Sequence, residues 1–253
     1  RELVLVDAST GGIALQFNQI ASGLDRGVCD FANSINPVDT CVPPFSRAEG
    51  EPPTGQPDVD DAYDYSGDVY GFYFDRFGRD SLDAEGMSLL STVRYCFDSG
   101  YCPYANAYWN GTQMVYGEGY ASADDVVGHE LTHGVTDFES HLFYYFQSGA
   151  ISESLSDIFG EYVDLTNGAG DDAPGQRWLM GEDLPIGAIR SMSNPPAFGD
   201  PDKMTSTNYV LDLADGGGVH TNSGVGNKAA YLIGRALNGV SSVRSSSVVT
   251  ASS

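Results

Sequence analysis

Two histidines and a glutamate within five residues carry the strongest chemical signal in the sequence. The segment reads His129-Glu130-Leu131-Thr132-His133. On a helix, residues four apart lie about 40° from one another around the axis, so both imidazoles leave the same face. Imidazoles placed in this way can bind one zinc ion, and the adjacent carboxylate can take a proton from a water molecule. The pattern predicts a zinc site with Glu130 as general base; the alternative is an ordinary amphipathic helix with two histidines.

A second helical segment supplies candidates for the third ligand that a catalytic zinc requires. Its acidic residues are three or four positions apart, at Glu153, Asp157, Glu161 and Asp164. If the two helices pack antiparallel with these faces together, both histidines meet Glu153, which we predict as the third zinc ligand. Asp157 would then meet His129 and orient its imidazole. The alternative is a solvated acidic face, but the apolar residues between the acids favour a packed helix.

The far ends of the same helices predict an all-oxygen cluster about two turns from the zinc. Asp125 would meet Glu161 and Asp164, and Glu182 follows the loop that closes over them. Crowded carboxylates repel one another, and a hard cation relieves that repulsion. We therefore predict a calcium ion here; the alternative is a hydrated acidic patch.

The elements that must position these residues are short strands before the zinc helix and helices after it. The pattern predicts a hairpin within 3–17, a helix at 82–95, strands within 104–120, and helices at 123–135, 149–164 and 223–237. The aromatic stretch 62–75 favours a helix, and a strand is the alternative. Asn110-Gly111 is the predicted turn between strands.

Composition excludes several classes of protein. The chain has 253 residues, 41% of them apolar and 11% aromatic, which is enough for a real core and excludes general disorder. A formal net charge of −23 disfavours nucleic acid and anionic membranes as partners. No apolar run reaches the roughly 20 residues that a membrane span needs. The sequence begins at Arg1, so we expect a processed or trimmed piece of a longer precursor.

The four cysteines form two short-range pairs, Cys29/Cys41 and Cys96/Cys102. Neither pair has CxxC spacing, so the pairs favour two local disulfides in an exported protein over a zinc site. The alternative is four reduced thiols in a cytosolic protein.

The motifs around the zinc site resemble the thermolysin family of zinc endopeptidases. Besides the zinc motif, the resemblance lies in segments 149–157 (Gly-Ala-Ile-Ser-Glu-Ser-Leu-Ser-Asp), 106–111 (Asn-Ala-Tyr-Trp-Asn-Gly), 114–117 (Met-Val-Tyr-Gly) and 218–224 (Gly-Val-His-Thr-Asn-Ser-Gly). It covers roughly residues 25–235. It implies a two-lobed α+β fold with a β-rich N-terminal lobe, a central zinc helix, a helical C-terminal lobe and a cleft between the lobes.

The resemblance also implies domain boundaries. Residues 1–24 resemble the end of a propeptide, residues 25–135 form the N-terminal lobe that ends in the zinc helix, and residues 136–253 form the helical lobe. The sequence after about residue 237 does not resemble the further helices of the family. We expect the C-terminal lobe to be truncated or atypical there.

Family roles carry over onto matching positions. Tyr144 and His220 would stabilise the oxyanion, with Asp215 orienting His220. The resemblance further implies that Asn106, Ala107 and Arg190 bind the substrate backbone. It also implies that Val126 and Ile189 line the pocket for the residue after the scissile bond.

Two departures from the family pattern bear on specificity and calcium. The segment between Gly117 and Asp125 is short and lacks apolar residues that normally wall the primary pocket, a role that Tyr120 can take. Arg177 stands where many relatives have a calcium-binding carboxylate. A guanidinium there can pair with the excess carboxylate, so we predict one calcium ion instead of two.

The combined prediction is a secreted, monomeric zinc endopeptidase that cleaves protein or peptide substrates on the N-terminal side of apolar residues. A zinc-activated water would attack the peptide carbonyl, and the chain's own propeptide would be a further partner. The competing hypothesis is a catalytically inactive zinc- and calcium-binding fragment or module. An intracellular aminopeptidase is disfavoured by the paired cysteines.

Overall fold

The computed structural model describes residues 2–6, 10–18, 23–169 and 173–246. Its strands are β1 (Glu2–Val6), β2 (Ile13–Asn18), β3 (Arg26–Asp30), β4 (Arg47–Ala48), β5 (Leu89–Val93), β6 (Ala107–Trp109), β7 (Met114–Tyr116), β8 (Leu179–Met180) and β9 (Arg190–Ser191). Its helices are α1 (Pro57–Phe77), α2 (Asp124–Glu139), α3 (Phe146–Asn167), α4 (Asp215–Asn222) and α5 (Gly224–Ser246). Short 3₁₀ turns lie at Ser99–Tyr101 and Pro195–Phe198.

One five-stranded mixed sheet dominates the N-terminal half, in the order β4-β3-β5-β7-β6. The three central strands are parallel, and β4 and β6 pair antiparallel at the two edges. The edge strand β6 precedes the zinc helix in the chain and packs beside it. The fold class is therefore confirmed as α+β, with a sheet before the zinc helix and helices after it.

Helix α1 covers the sheet because its apolar residues recur every three or four positions. Val59, Tyr63, Val69 and Tyr73 lie on this buried face. The helix begins at Pro57, where a missing N–H costs nothing, and Gly78 ends it in the left-handed conformation.

Most of the predicted elements are confirmed, and one is wrong. The hairpin within 3–17 forms between β1 and β2, and the strands within 104–120 are β6 and β7. Residues 82–95 are not a helix, because 89–93 form a strand paired on both sides in the centre of the sheet. The last helix continues to Ser246 instead of ending near 237, and residues 247–253 lie outside the described part of the chain.

Among the helices of the described residues, none has the combination of length and apolarity that crossing a membrane requires.

Candidate active site

Helices α2 and α3 pack antiparallel, as the spacing of their polar residues predicts. As residue numbers increase along α2, the numbers of the residues they contact on α3 decrease. Asp125 contacts Gly160, His129 contacts Asp157, and His133 contacts Glu153. The facing stripes therefore meet in the predicted register.

Glycines on both helices allow this close approach. A Cβ at Gly160 would lie 2.4 Å from the carbonyl oxygen of Asp125, and one at Gly128 would lie 2.9 Å from the Cα of Gly160. Both distances are shorter than van der Waals contact, so the backbones can touch only because neither residue has a side chain. The crossing point lies directly beside His129, since a Cβ at Gly160 would also lie 3.0 Å from the backbone nitrogen of His129, and it sets the distance between the ligands on the two helices.

The three predicted zinc ligands converge at one point. The Nε2 atoms of His129 and His133 lie 3.1 Å apart. The Glu153 carboxylate lies 3.4 Å from the first and 3.2 Å from the second. Tetrahedral ligands at about 2.0–2.1 Å from a zinc ion are separated by about 3.3–3.4 Å, so this donor set fits zinc. A carboxylate oxygen of Glu130 also lies within 4.8 Å of a ring nitrogen of each histidine.

The electrostatics of the ligand set also suit a cation. Burial alone would lower the pKa of His129, but Asp157 and Glu153 outweigh it and raise the pKa to about 10. Burial alone would raise the pKa of Glu153, but His129 and His133 hold it well below its usual range. A fully buried carboxylate is thus kept ionised, and a divalent cation can replace the proton that His129 otherwise retains.

Asp157 orients His129 and is itself held by buried donors. Its Oδ1 lies 2.7 Å from Nδ1 of His129, while Arg190 donates to both carboxylate oxygens at 2.6 and 2.9 Å. Although burial opposes ionisation, Arg190 and His129 lower the pKa of Asp157 to about 2. Asn227 on α5 donates to Oδ2 at 2.6 Å. Sequence reasoning missed Asn227, because no motif links it to a residue 70 positions earlier.

Glu130 faces the cleft rather than the core. The backbone N–H of Trp109, on the edge strand β6, donates to its Oε2 at 3.1 Å. This hydrogen bond holds the carboxylate beside the ligand set, within reach of a water molecule there.

Tyr144 and His220 approach the ligand set from the other side. The Tyr144 hydroxyl donates to Glu153 Oε1 and lies 3.1 Å from Nε2 of His220. Burial and the charge of Glu153 raise the pKa of Tyr144 well above its usual range, so the phenol stays protonated. Asp215 lies 2.6 Å from Nδ1 of His220 and also accepts its backbone N–H at 2.9 Å.

A left-handed turn positions His220. Asp215 has a φ of 50°, and glycines 216–218 follow with φ of 60°, 91° and 75°. Four successive residues thus adopt the mirror image of a helical turn before the chain returns to right-handed geometry at Val219. Such a turn is accessible here because three of the four residues lack a Cβ.

The cleft around these groups has a volume of about 460 Å³. All five predicted substrate-binding residues line it: Asn106, Ala107, Val126, Ile189 and Arg190. Tyr120 lines it too, in accordance with its suggested role in the shortened segment. Lining residues that sequence reasoning missed include Tyr108, Asp137, Met180 and Leu184.

Three of the predicted calcium ligands lie at the far end of the helix pair, and Glu182 interacts with one of them, Asp125. Asp125, Glu161 and Asp164 are buried, and Glu182 is half-buried. Burial and the neighbouring charge of Glu182 raise the pKa of Asp125 well above its usual range. Two of these carboxylates also accept backbone N–H groups, Asp125 from Gly181 at 2.5 Å and Glu161 from Trp178 at 2.6 Å.

Both predicted disulfides are present, as Cys29–Cys41 and Cys96–Cys102.

Comparison with known proteins agrees with the site. A family model described as the catalytic domain of thermolysin metallopeptidases matches residues 45–137, and one described as their alpha-helical domain matches residues 140–252. A zinc metalloproteinase of Renibacterium salmoninarum is 38% identical over 270 residues, which cover 93% of this chain and 49% of that protein. An extracellular metalloprotease of Pectobacterium carotovorum subsp. carotovorum is 45% identical over 212 residues, covering 76% of this chain and 59% of that protein.

A thermolysin of Alicyclobacillus acidocaldarius subsp. acidocaldarius is 46% identical over 185 residues, covering 68% of this chain and 32% of that protein. The chain thus spans between about a third and three fifths of the length of these curated relatives. Among solved structures, the precursor of protealysin, a metalloproteinase from Serratia proteamaculans, superposes with a TM-score of 0.71 at 38% identity. That match covers 85% of this chain and 69% of the other.

Proposed function

The chain belongs to the thermolysin metallopeptidase family, and on that premise we propose that it is a zinc-dependent endopeptidase. The observation that carries the proposal is the convergence of His129, His133 and Glu153 on one point in an open cleft, with Glu130 beside them. A bound zinc ion would supply a Lewis acid that lowers the pKa of a water molecule and polarises the peptide carbonyl.

Glu130 is the general base in this proposal. Its carboxylate would accept the proton of the attacking water and then deliver it to the amine that leaves. The hydrogen bond from the Trp109 N–H supports this role, because it fixes one carboxylate oxygen and leaves the group facing the cleft.

Tyr144 and His220 are the proposed donors to the oxyanion that forms when the carbonyl is attacked. Their hydroxyl and Nε2 lie 3.1 Å apart beside Glu153, so one oxygen atom can accept from both. Asp215 would hold Nδ1 of His220, which turns Nε2 towards Tyr144 and the oxyanion.

The substrate would bind as an extended strand along the free edge of β6, which carries Ala107 next to Asn106. Arg190 would contact the substrate backbone from the opposite wall. Val126 and Ile189 would accept the side chain after the scissile bond, which supports a preference for apolar residues there.

One calcium ion is the proposed second cofactor. Asp125, Glu161, Asp164 and Glu182 supply hard oxygen ligands at the far end of the helix pair, and a cation would offset the charge that raises the pKa of Asp125. Arg177 would take the place of a second ion. Metal analysis after exchange of the zinc-loaded protein into calcium buffer should give about one calcium per chain. Two per chain would contradict the role of Arg177, and none would contradict the site.

Secretion is the proposed localisation, and a propeptide within residues 1–24 the proposed additional partner. Support for secretion comes from the two disulfides and from a relative named as an extracellular metalloprotease. We further propose a monomer with no nucleic-acid or membrane partner, on the basis of the net charge of −23.

Glu130→Gln tests the catalytic assignment. The variant should bind zinc normally and lose at least about 10³-fold in kcat on casein, since the base is gone and the ligands remain. Glu85→Gln, at an exposed glutamate, is the matched control. Loss of zinc in Glu130→Gln would contradict its role as a non-ligand, and full activity would favour a different base.

Glu153→Ala tests the ligand set. It should lose both zinc and activity, because the two imidazoles alone leave the metal site incomplete. A fully active variant would contradict the assignment. A wild-type chain that binds zinc but cleaves neither casein nor peptides would instead be the metal-binding module considered above.

A further inference from the structure

A second cavity lies beside the cleft and has no part in the chemistry described so far. Its volume is about 320 Å³, and it is lined by one proline and four aromatic residues, Pro37, Tyr95, Phe97, Tyr104 and Tyr108. We call these five residues the aromatic pocket. Their rings pack edge to face, with centroids 6.0–6.3 Å apart for Tyr104 against Tyr95, Phe97 and Tyr108.

The aromatic pocket and the cleft share one wall residue. Tyr108 lines both cavities. Asn106, which lines the cleft, donates weakly to the hydroxyl of Tyr104 at 3.5 Å. Tyr108 lies in the middle of β6, the edge strand along which an extended peptide would bind, so such a peptide would pass this pocket.

Disulfides and hydrogen bonds hold the walls of the pocket. The Cys96–Cys102 disulfide closes the loop that carries Phe97, and the backbone N–H of Asn36 donates to the carbonyl oxygen of Cys96 at 2.8 Å. The hydroxyl of Tyr108 donates to Asp39 at 2.9 Å, in the segment that Cys29–Cys41 closes. Both disulfides therefore hold the two sides of one pocket in place.

Exposed apolar residues lie close in the chain to Pro37 and Phe97 of the pocket. Phe97 is 40% exposed and stacks on Tyr101, which is 62% exposed, with 5.1 Å between the ring centroids. Ile35 and Val38 on the facing segment are 58% and 56% exposed. Exposed apolar side chains next to a cavity are typical of a ligand-binding region, and aromatic walls select apolar side chains.

We propose that the aromatic pocket is an additional substrate subsite, which binds a bulky apolar or aromatic side chain of the peptide outside the two residues that flank the scissile bond. The inference rests on the proposed endopeptidase function and extends it. The cleft would then select substrates by two apolar side chains: one beside the scissile bond, bound near Val126 and Ile189, and one farther along the chain.

A positional scan of peptide substrates tests the subsite. Internally quenched peptides of about ten residues would carry leucine after the scissile bond and either Phe or Ala at each other position. For the unsubstituted protein we expect one position outside the flanking pair where Phe raises kcat/KM about five- to tenfold over Ala, mainly through KM. The Phe97→Ser variant should reduce this ratio to below about twofold.

Phe198→Ser is the matched control, since Phe198 is also 40% exposed but lines neither cavity. It should retain the full ratio. A ratio that survives in Phe97→Ser, or the absence of any distal preference, would overturn the subsite while zinc-dependent cleavage persists. Absence of zinc-dependent cleavage of every peptide would overturn the proposed function and the subsite with it.

Discussion

Replacing Gly160 with alanine should disturb both the stability and the zinc affinity of the protein. Its Cβ would lie 2.4 Å from the carbonyl oxygen of Asp125 and 3.0 Å from the backbone nitrogen of His129. Carbon–oxygen contacts need about 3.3 Å, so α2 and α3 must separate by about 0.9 Å. Neither atom can rotate away, because both belong to the backbone of α2.

The expected cost follows from two opposing effects. Overpacking of this kind destabilises by about 1–3 kcal/mol, whereas alanine is favoured over glycine inside a helix by about 1 kcal/mol. The clash offsets or exceeds the helix preference, with a net loss of up to about 2 kcal/mol and a fall in Tm of up to about 8 °C. The shift also moves the histidines of α2 away from Glu153, whose carboxylate now lies 3.2–3.4 Å from them. Metal sites tolerate errors of about 0.2 Å, so zinc affinity should fall at least about tenfold.

Gly71→Ala is the matched control. Gly71 also lies inside a helix, α1, but a Cβ there meets no atom within 4 Å. This variant should gain up to about 1 kcal/mol, because the helix preference of alanine acts without a clash. Thermal unfolding and zinc competition with a chelator measure both effects. If Gly160→Ala were stabilised as Gly71→Ala is, and bound zinc normally, the close helix crossing could not be what sets the ligand distances.

Other predictions concern the groups around the ligands. Asn227→Ala should weaken zinc binding about tenfold, because Asp157 loses a buried donor and holds His129 less firmly; unchanged affinity in chelator competition would contradict this. Tyr144→Phe should lower kcat about 10²-fold at constant zinc content, because one oxyanion donor is lost; an unchanged kcat would exclude that role. In the zinc-free protein, folded His129 has a pKa of about 10 against an unfolded value of about 6.5, so its stabilising contribution is complete below pH 6.5 and is lost as the pH rises towards 10. Urea midpoints measured after zinc removal with phenanthroline should therefore decline across this range, and a flat profile would contradict the pairing of His129 with Asp157 and Glu153.

Local spacing was enough to predict that His129, His133 and Glu153 converge. His129 and His133 are one helical turn apart, and the acidic residues from Glu153 to Asp164 recur with the same period. The sequences of α2 and α3 therefore predict which residues lie opposite one another. The two disulfides were also accessible, because each joins cysteines close in sequence.

Features that depend on distant parts of the chain could not be predicted in the same way. Residues 89–93 read Leu-Leu-Ser-Thr-Val and lack the alternation of a half-buried strand, since this strand is buried in the centre of the sheet. Asn227 reaches Asp157 only after α5 packs on α3. The aromatic pocket forms only where the segments around Pro37 and Phe97 pack together, and no local sequence pattern predicts that contact.

The mirror-image turn before His220 has a consequence at the level of the gene. Every single-nucleotide missense change in a glycine codon introduces a residue with a Cβ. At glycines 216–218 each such change would cost about 1–2 kcal/mol from handedness alone. A Cβ at the second or third would also lie 2.3 Å from the Phe146 ring or 2.5 Å from Val210. Only third-base changes, which still encode glycine, therefore leave these three codons compatible with the turn that positions His220.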